Sequence, residues 1–392
     1  MITDEDMFEA YYNCLKHKKS KRSAIEYSIY HQKDIIALVE EINNRTYTVS
    51  KSTVFVVTKP KYREVFCANM RDRIVHHYVC MRLEPLFERI FSDRVFNCRK
   101  GKGVMYGVNM LSADIKKCSN NYTEDCYIMK CDLKGFFMSI DKELLCKKLL
   151  KFIRENYQGN DVEDILWLTE LITMNEPEYN CEKHGDLSLW EYIPANKSLF
   201  TNGKGFGLPI GNLPSQLNAN FLLHSFDDYV QNTLGFKFYG RYVDDFYIID
   251  KCKNKLLSSM PFMRLFLSDN LNITLHPNKF YIQHYSKGVT FTGSIVKYDR
   301  IYPAKRTIGN LYNSISRLNC SSNLQELEAN VRSINSYLGF LIHDNSYNIR
   351  YKAMHMIDKN LFEYIYIKGH YQSIQIKKKY KDAETGDLRN VF

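Results

Sequence analysis

Asp244 and Asp245 stand side by side in the stretch 236–250, FKFYGRYVDDFYIID, between two arms rich in aromatic and β-branched residues. That pattern predicts a β-hairpin with two carboxylates at or near its turn. Aspartate is a poor residue for a strand interior, so such a pair either sits in solvent or holds a cation. A pair is half of a metal site, and the second reading needs a third carboxylate elsewhere. Asp132 supplies one. The stretch 127–132, YIMKCD, reads as a strand that ends in this aspartate, and Leu133-Lys134-Gly135 then turns the chain beside Phe136 and Phe137.

The elements that must position these residues follow in order. Residues 4–44 read as two helices, separated by a basic stretch at 16–22. A β-hairpin spans 53–66, with Lys59-Pro60-Lys61 at its turn and Lys59, Lys61 and Arg63 gathered at one end. Residues 71–91 form one helix with an apolar stripe, which Pro85 is expected to kink. On it, His76 and His77 read as packing or polar-face residues. The loop 96–103, FNCRKGKG, is basic and glycine-containing without the spacing of a Walker loop. Helices are predicted at 142–155 and 161–174, then an irregular excursion at 175–200 in which Cys181 and His184 lack a second ligand pair. The glycine-rich stretch 203–211 opens a long helix to about residue 234, with Ser215 and Gln216 in its first turns. Beyond the hairpin come a helix at 255–271 and short strands at 273–275, 279–283 and 289–296. Helices are expected at 306–319, 323–341 and 349–366. The remaining residues are polar and have no assigned role.

Composition sets the class. The chain has 392 residues, 45% hydrophobic and 25% charged, as a globular protein with a sizeable core does. A net charge of +10 with 29 Tyr and 23 Phe fits a binder of polyanions with surfaces for stacking. The 11 cysteines are scattered and odd in number, as expected of reduced thiols. No apolar run approaches the roughly 18–20 residues of a membrane span. The acidic start MITDEDMFEA is unlike a secretory signal, so a cytoplasmic protein without membrane partners is expected.

Taken in order, the motifs resemble those of reverse transcriptases over nearly the whole chain. Asp132 with Phe136-Phe137 is similar to the first palm motif, and Tyr242-Val243-Asp244-Asp245 to the YxDD motif. Residues 207–216, GLPIGNLPSQ, lie between them where the family has its template and nucleotide loop. Leu275-His276-Pro277-Asn278-Lys279 resembles the fourth palm motif and 288–293, GVTFTG, the primer grip. The resemblance implies an α+β fold of right-hand polymerase architecture. It divides the chain into an N-terminal helical extension at 1–45, fingers at 46–125, and a palm at 126–303 with a fingers-side insertion at about 142–205. A helical thumb at 304–366 and a polar tail at 367–392 complete it.

The activity so implied is RNA-directed DNA polymerisation by two-metal nucleotidyl transfer. Asp132, Asp244 and Asp245, with the Leu133 carbonyl, would hold two Mg²⁺ ions, for which Mn²⁺ can substitute. Lys279 would act as the acid toward pyrophosphate. Lys61 and Arg63 would hold the triphosphate; Phe137, as steric gate, and Ile210, Gly211 and Gln216 would line the nucleotide site. Arg99, Lys100, Lys102, Ser215, Tyr242, Phe291 and Gly293 would face primer and template. The implied partners are an RNA template, structured or repeat-derived, a DNA product, deoxynucleoside triphosphates, and an accessory protein or further subunits. Ile210 and Gln216 depart from the Gln and Pro of the family at large. The form IGNxxSQ resembles enzymes of diversity-generating retroelements, while Pro214, Asn218 and Thr292 depart from that group. Related reverse transcriptases act in antiphage defence with a noncoding RNA, and both roles stand. A catalytically weak RNA-binding scaffold and a protein-primed DNA synthase are the alternatives.

Overall fold

The computed structural model describes residues 1–380 apart from His17 and Pro60. The expected turn proline and the end of the polar tail, 381–392, lie outside the described residues. In chain order the elements are α1 (Asp4–Leu15), α2 (Arg22–Ser28), α3 (His31–Asn43), β1 (Ser52–Val57), β2 (Arg63–Cys67), α4 (Met70–Ile90), α5 (Val104–Cys118) and β3 (Tyr127–Asp132). There follow α6 (Phe136–Ser139), α7 (Lys142–Asn156), α8 (Val162–Met174), β4 (Cys181–His184), α9 (Leu213–Asp228), β5 (Phe238–Tyr242), β6 (Asp245–Asp250) and α10 (Lys253–Leu271). The last are β7 (Tyr281–His284), β8 (Val289–Phe291), β9 (Ser294–Lys297), β10 (Arg300–Pro303), α11 (Lys305–Asn319), α12 (Leu324–Leu341), α13 (Tyr347–His355), β11 (Ile365–Lys368) and β12 (Ser373–Ile376).

The chain divides into two compact units, one of 1–101, 129–248 and 254–281, the other of 102–128, 249–253 and 282–392. Residues 102–128, assigned to the fingers from sequence, therefore cluster with the C-terminal part of the chain. In the first unit, β1 is built from β-branched residues and pairs on both sides. It runs antiparallel to β2, with Val54 opposite Phe66, and parallel to β4, with Thr53 opposite Glu182. The strand β4 corrects the expectation of an irregular excursion at 175–200. Its residues Cys-Glu-Lys-His carry no β signal and are mostly exposed, so the pairing is a backbone matter that side chains do not announce.

The helix α4 bears the expected stripe of buried residues, from Ile74 to Phe87, and continues through Pro85. Its Phe87 stacks on Phe221 of α9 at 4.9 Å. The N-terminal region forms three helices where two were read. Ile25 and Ile29 are exposed rather than packed, and the chain breaks at Tyr30, with φ −119° and ψ 11°.

In the second unit β8, β9 and β10 form an antiparallel sheet, and β11 pairs with β12. Leu311, Ile315, Ile334 and Leu338 of α11 and α12 bury against Ile365 and Ile374 of the β11–β12 hairpin. Asn335 closes the contact, its amide donating to the Ile374 carbonyl and accepting from the Ile374 N–H, both at 2.7 Å. The helix expected at 349–366 thus ends at His355, and part of the expected tail is core. Asn319 catches the chain as it leaves α13, donating to the Met356 carbonyl at 2.8 Å and accepting from the Asp358 N–H at 3.2 Å. Among the described residues no helix is long and apolar enough to cross a membrane.

Candidate active site

Backbone hydrogen bonds stitch three segments together in the first unit. β6 lies between β5 and β3, so the hairpin turn comes beside the end of β3. The Leu133 N–H donates to the Asp244 carbonyl at 3.1 Å, which fixes Asp132 and Asp244 as neighbours. On the other side, the Lys134 N–H donates to the Thr274 carbonyl at 2.9 Å and the His276 N–H to the Asp132 carbonyl at 2.8 Å. Those bonds bring the segment 275–279 alongside Asp132. Lys279 then reaches both Asp132 carboxylate oxygens, at 3.3 and 3.2 Å.

The turn itself is strained. Val243, a β-branched residue, has φ +59°, a region that L residues with branched side chains rarely enter. Its neighbours hold it there. Asn97 accepts from the Val243 N–H at 2.9 Å, and Arg241 donates to the Val243 carbonyl at 3.0 Å. Asn97 and Asn220 bond each other, with distances of 3.0 and 3.1 Å, and Arg241 also donates to Asn220 at 3.2 Å. Behind them the fully buried Arg241 guanidinium makes two 2.6 Å bonds to Asp227, to which the Tyr239 hydroxyl also donates, at 2.5 Å. A buried ion pair of this kind persists because both partners are fully hydrogen-bonded. Sequence reading missed Asn97, Asn220, Asp227 and Arg241. The one available signal is a charged residue at an interior position of an apolar strand, next to the motif.

Carboxylates and cations face one another at the site. Burial, then the Asp132 charge, raises Asp244 above the ordinary aspartate range. Burial pushes Asp245 to about 6, against the ammonium of Lys130 3.0 Å away. Arg63 and Lys279 act on Asp244 in the opposite sense, which places the β2 cation within electrostatic reach of the turn. Among the described residues no three His, Cys, Asp or Glu side chains are gathered closely enough to hold a metal ion. In the expected ligand set of Asp132, Leu133, Asp244 and Asp245, Lys279 and Lys130 engage the carboxylates of Asp132 and Asp245.

The raised carboxylates have a consequence for stability. Unfolded, both titrate at about 4. The folded chain holds protons that the unfolded chain loses, so stability is complete below about pH 4 and falls as pH rises through the folded values. Asp244→Asn removes one of these charges. It is expected to match wild type below about pH 4 and to exceed it in urea midpoint near pH 7. A variant less stable than wild type near pH 7 would contradict this.

The other expected residues fall into distinct places. The loop 210–212 lies against β2: the Phe66 N–H donates to the Ile210 carbonyl at 2.7 Å, and a Cβ on Gly211 would meet the Phe66 carbonyl oxygen at 2.4 Å. Only glycine fits there, the more so at φ +115°. Phe137 and Ile210 pack against the same cluster of Val54, Phe66, Met138 and Leu199. Gln216 accepts from the Cys98 thiol at 2.5 Å, and Ser215 is buried. Tyr242 is half-buried, Lys61, Arg63 and Lys100 are exposed. Arg99, expected to face primer and template, turns its buried side chain inward, to Glu88 at 2.7 Å and the Ser92 carbonyl at 2.6 Å. In the second unit, Lys102 lies over the Tyr106 ring. There Phe291 is also a correction. Its ring is completely buried in the core, so it offers primer and template no side-chain surface, whereas Gly293 turns at φ +99° with its carbonyl accepting from Ala304 at 3.0 Å.

Residues 49–296 match the family described as reverse transcriptase (RNA-dependent DNA polymerase), and the chain belongs to that family. Its fold is the family's α+β right-hand polymerase class. Among individual proteins, the chain is similar to Protein YkfC of Escherichia coli (strain K12), 23% identical over 265 residues. That alignment takes in 59% of this chain and 62% of YkfC, so the chain spans less than two thirds of its relative's length. Among solved structures, telomerase from Candida albicans with a fragment of telomeric RNA superposes with a TM-score of 0.47 at 10% identity, covering 80% of this chain and 60% of that one. Apo telomerase from Candida tropicalis gives 0.47 at 13% identity, covering 79% and 55%.

Proposed function

We propose that this chain is an RNA-directed DNA polymerase that extends a DNA strand on an RNA template. The observation that carries the reading is the backbone pairing that brings Asp132, at the end of β3, beside Asp244 and Asp245 at the β5–β6 turn, where burial raises both of the latter. Hard carboxylate oxygens, those of Asp244 and Asp245 raised in pKa by burial and neighbouring carboxylates, are suited to Mg²⁺, whose charge would offset theirs. Asp132, Asp244 and Asp245, with the Leu133 carbonyl, would hold the ions, and Asp132 and Asp245 must leave Lys279 and Lys130 to do so. Bound ions would lower the pKa of the attacking hydroxyl and stabilise the charge of the leaving oxygen.

In the reaction the primer 3′-hydroxyl gives up its proton to solvent, its oxygen bonds to the α-phosphorus, the bond from that phosphorus to the bridging oxygen breaks, and pyrophosphate leaves. Arg63 and Lys61 oppose the charge that develops on the triphosphate. Lys279, displaced from Asp132, is placed to give a proton to pyrophosphate. The proposed fingers carry these cations on the β2–β1–β4 sheet, and the proposed thumb is the core of α11 to α13. The test is of template and product together. Purified protein, a DNA primer on an RNA template, and deoxynucleotides should yield a product that resists ribonuclease and is degraded by deoxyribonuclease. RNA binding without synthesis would leave only the scaffold.

Phe137 offers a second test. Its backbone is tied down by the Leu208 N–H at 2.9 Å, and its ring packs edge-on to Phe136 at 5.5 Å. A ring on a fixed backbone, packed edge-on to its neighbour, can exclude a 2′-hydroxyl. Phe137→Ala is expected to raise ribonucleotide over deoxynucleotide kcat/KM by about tenfold or more. An unchanged ratio would remove Phe137 from the gate. For biological role, Ile210 at the nucleotide loop supports relaxed base selection and hence a diversifying element. Adenine-specific errors in the cDNA would agree, whereas a short repetitive product would favour defence.

A further inference from the structure

A cavity of about 340 Å³ opens in the first unit, between α4, the end of β2 and the start of α9. Lys18, Arg73, His76 and His77 line it, and no acidic residue does. Arg73, His76 and His77 follow one another at the spacing that puts them on one face of α4. Arg73 donates to the Ala68 carbonyl at 2.8 Å and to the Cys67 thiol, and neither it nor Lys18 has a carboxylate partner among the described residues. His76 is 6% exposed and has no hydrogen-bond partner among the described residues. Burial, then neighbouring positive charge, holds His76 at about 3 and His77 at about 4. The cavity wall continues into Asn212 and Leu213, where α9 begins without a side-chain cap on its N–H groups.

We infer that this cavity binds a phosphate group of a nucleic-acid strand. Two cations, two imidazoles with ring nitrogens to share, and an uncapped helix N-terminus converge on a space that contains no balancing anion. Gly211 and Gln216 of the nucleotide loop also line this cavity. Arg63, the cation that acts on Asp244, does not, so the cavity's four side chains suit a backbone phosphate of the bound strand and leave the triphosphate to the β2 cation. The identity of the strand as RNA template rests on the polymerase reading.

The test measures binding of a short single-stranded RNA to the full chain over a series of potassium chloride concentrations, with chelator present and no deoxynucleotide. Wild type, Lys18→Gln and Arg73→Gln are compared; Lys18 is exposed, so its variant keeps the test valid if Arg73→Gln fails to fold. Each variant is expected to bind more weakly, with the slope of log K against log salt shallower by about 0.7, the value for one lost phosphate contact on a single strand. Deoxynucleotide affinity, measured separately with magnesium, should be the same in all three. Unchanged salt slopes would overturn the inference. So would variants that lose deoxynucleotide affinity while RNA binding is untouched, since the phosphate would then be a free triphosphate's. Primer extension by the wild type, run in parallel, reports on the polymerase reading independently.

Discussion

Arg241→Met is expected to destabilise the chain by about 3–5 kcal/mol, because it leaves the Asp227 carboxylate buried without its counter-charge. Asp227 is 1% exposed and its remaining partner is the Tyr239 hydroxyl, a neutral donor. The loss should appear as a lower urea midpoint with an unchanged slope. Adding Asp227→Leu to the variant should recover part of it, since the pair removed together leaves no stranded charge. The effect reaches the active site as well. Arg241 holds the Val243 carbonyl and, through Asn220 and Asn97, its N–H, so the left-handed turn loses its supports. A variant as stable as wild type would show that this network does not hold the fold.

That network explains what could be read from sequence and what could not. The β-branched and aromatic arms around Asp244 predict a hairpin because alternation is local, and Asp132 at a strand end is visible for the same reason. Arg241 reads as one more strand residue. Its partner Asp227 lies in a helix, and only the folding of α9 across β5 reveals the pair. Arg99 misled in the opposite way. A basic loop suggests a strand of nucleic acid, but Glu88 at the end of α4 takes the guanidinium inward. Phe291 alternates in an apolar strand and belongs to the core, as its neighbours Val289 and Val296 do. The strand β4 and the hairpin of β11 and β12 were hidden because backbone pairing, not side-chain pattern, makes the first, and the second draws its burial from α12.

Asp244 carries the largest expected effect on function. Its carboxylate is tied into place through its own backbone carbonyl, and its charge is the one that Asp132, Arg63 and Lys279 all act upon. An amide at that position keeps the shape and the turn but offers half the oxygen donors and no charge. The loss of transition-state stabilisation from a metal-holding carboxylate is several kcal/mol, on the order of a thousandfold in rate. Folding should not suffer, since the same substitution relieves repulsion near neutral pH. The most direct measurement is extension of a DNA primer on an RNA template by wild type and Asp244→Asn, with magnesium and deoxynucleotides, both proteins shown to have the same urea midpoint or a higher one in the variant. Extension by wild type and its loss by about a thousandfold in Asp244→Asn is the predicted result; equal extension by the two proteins, or none by either while both bind RNA, would contradict it.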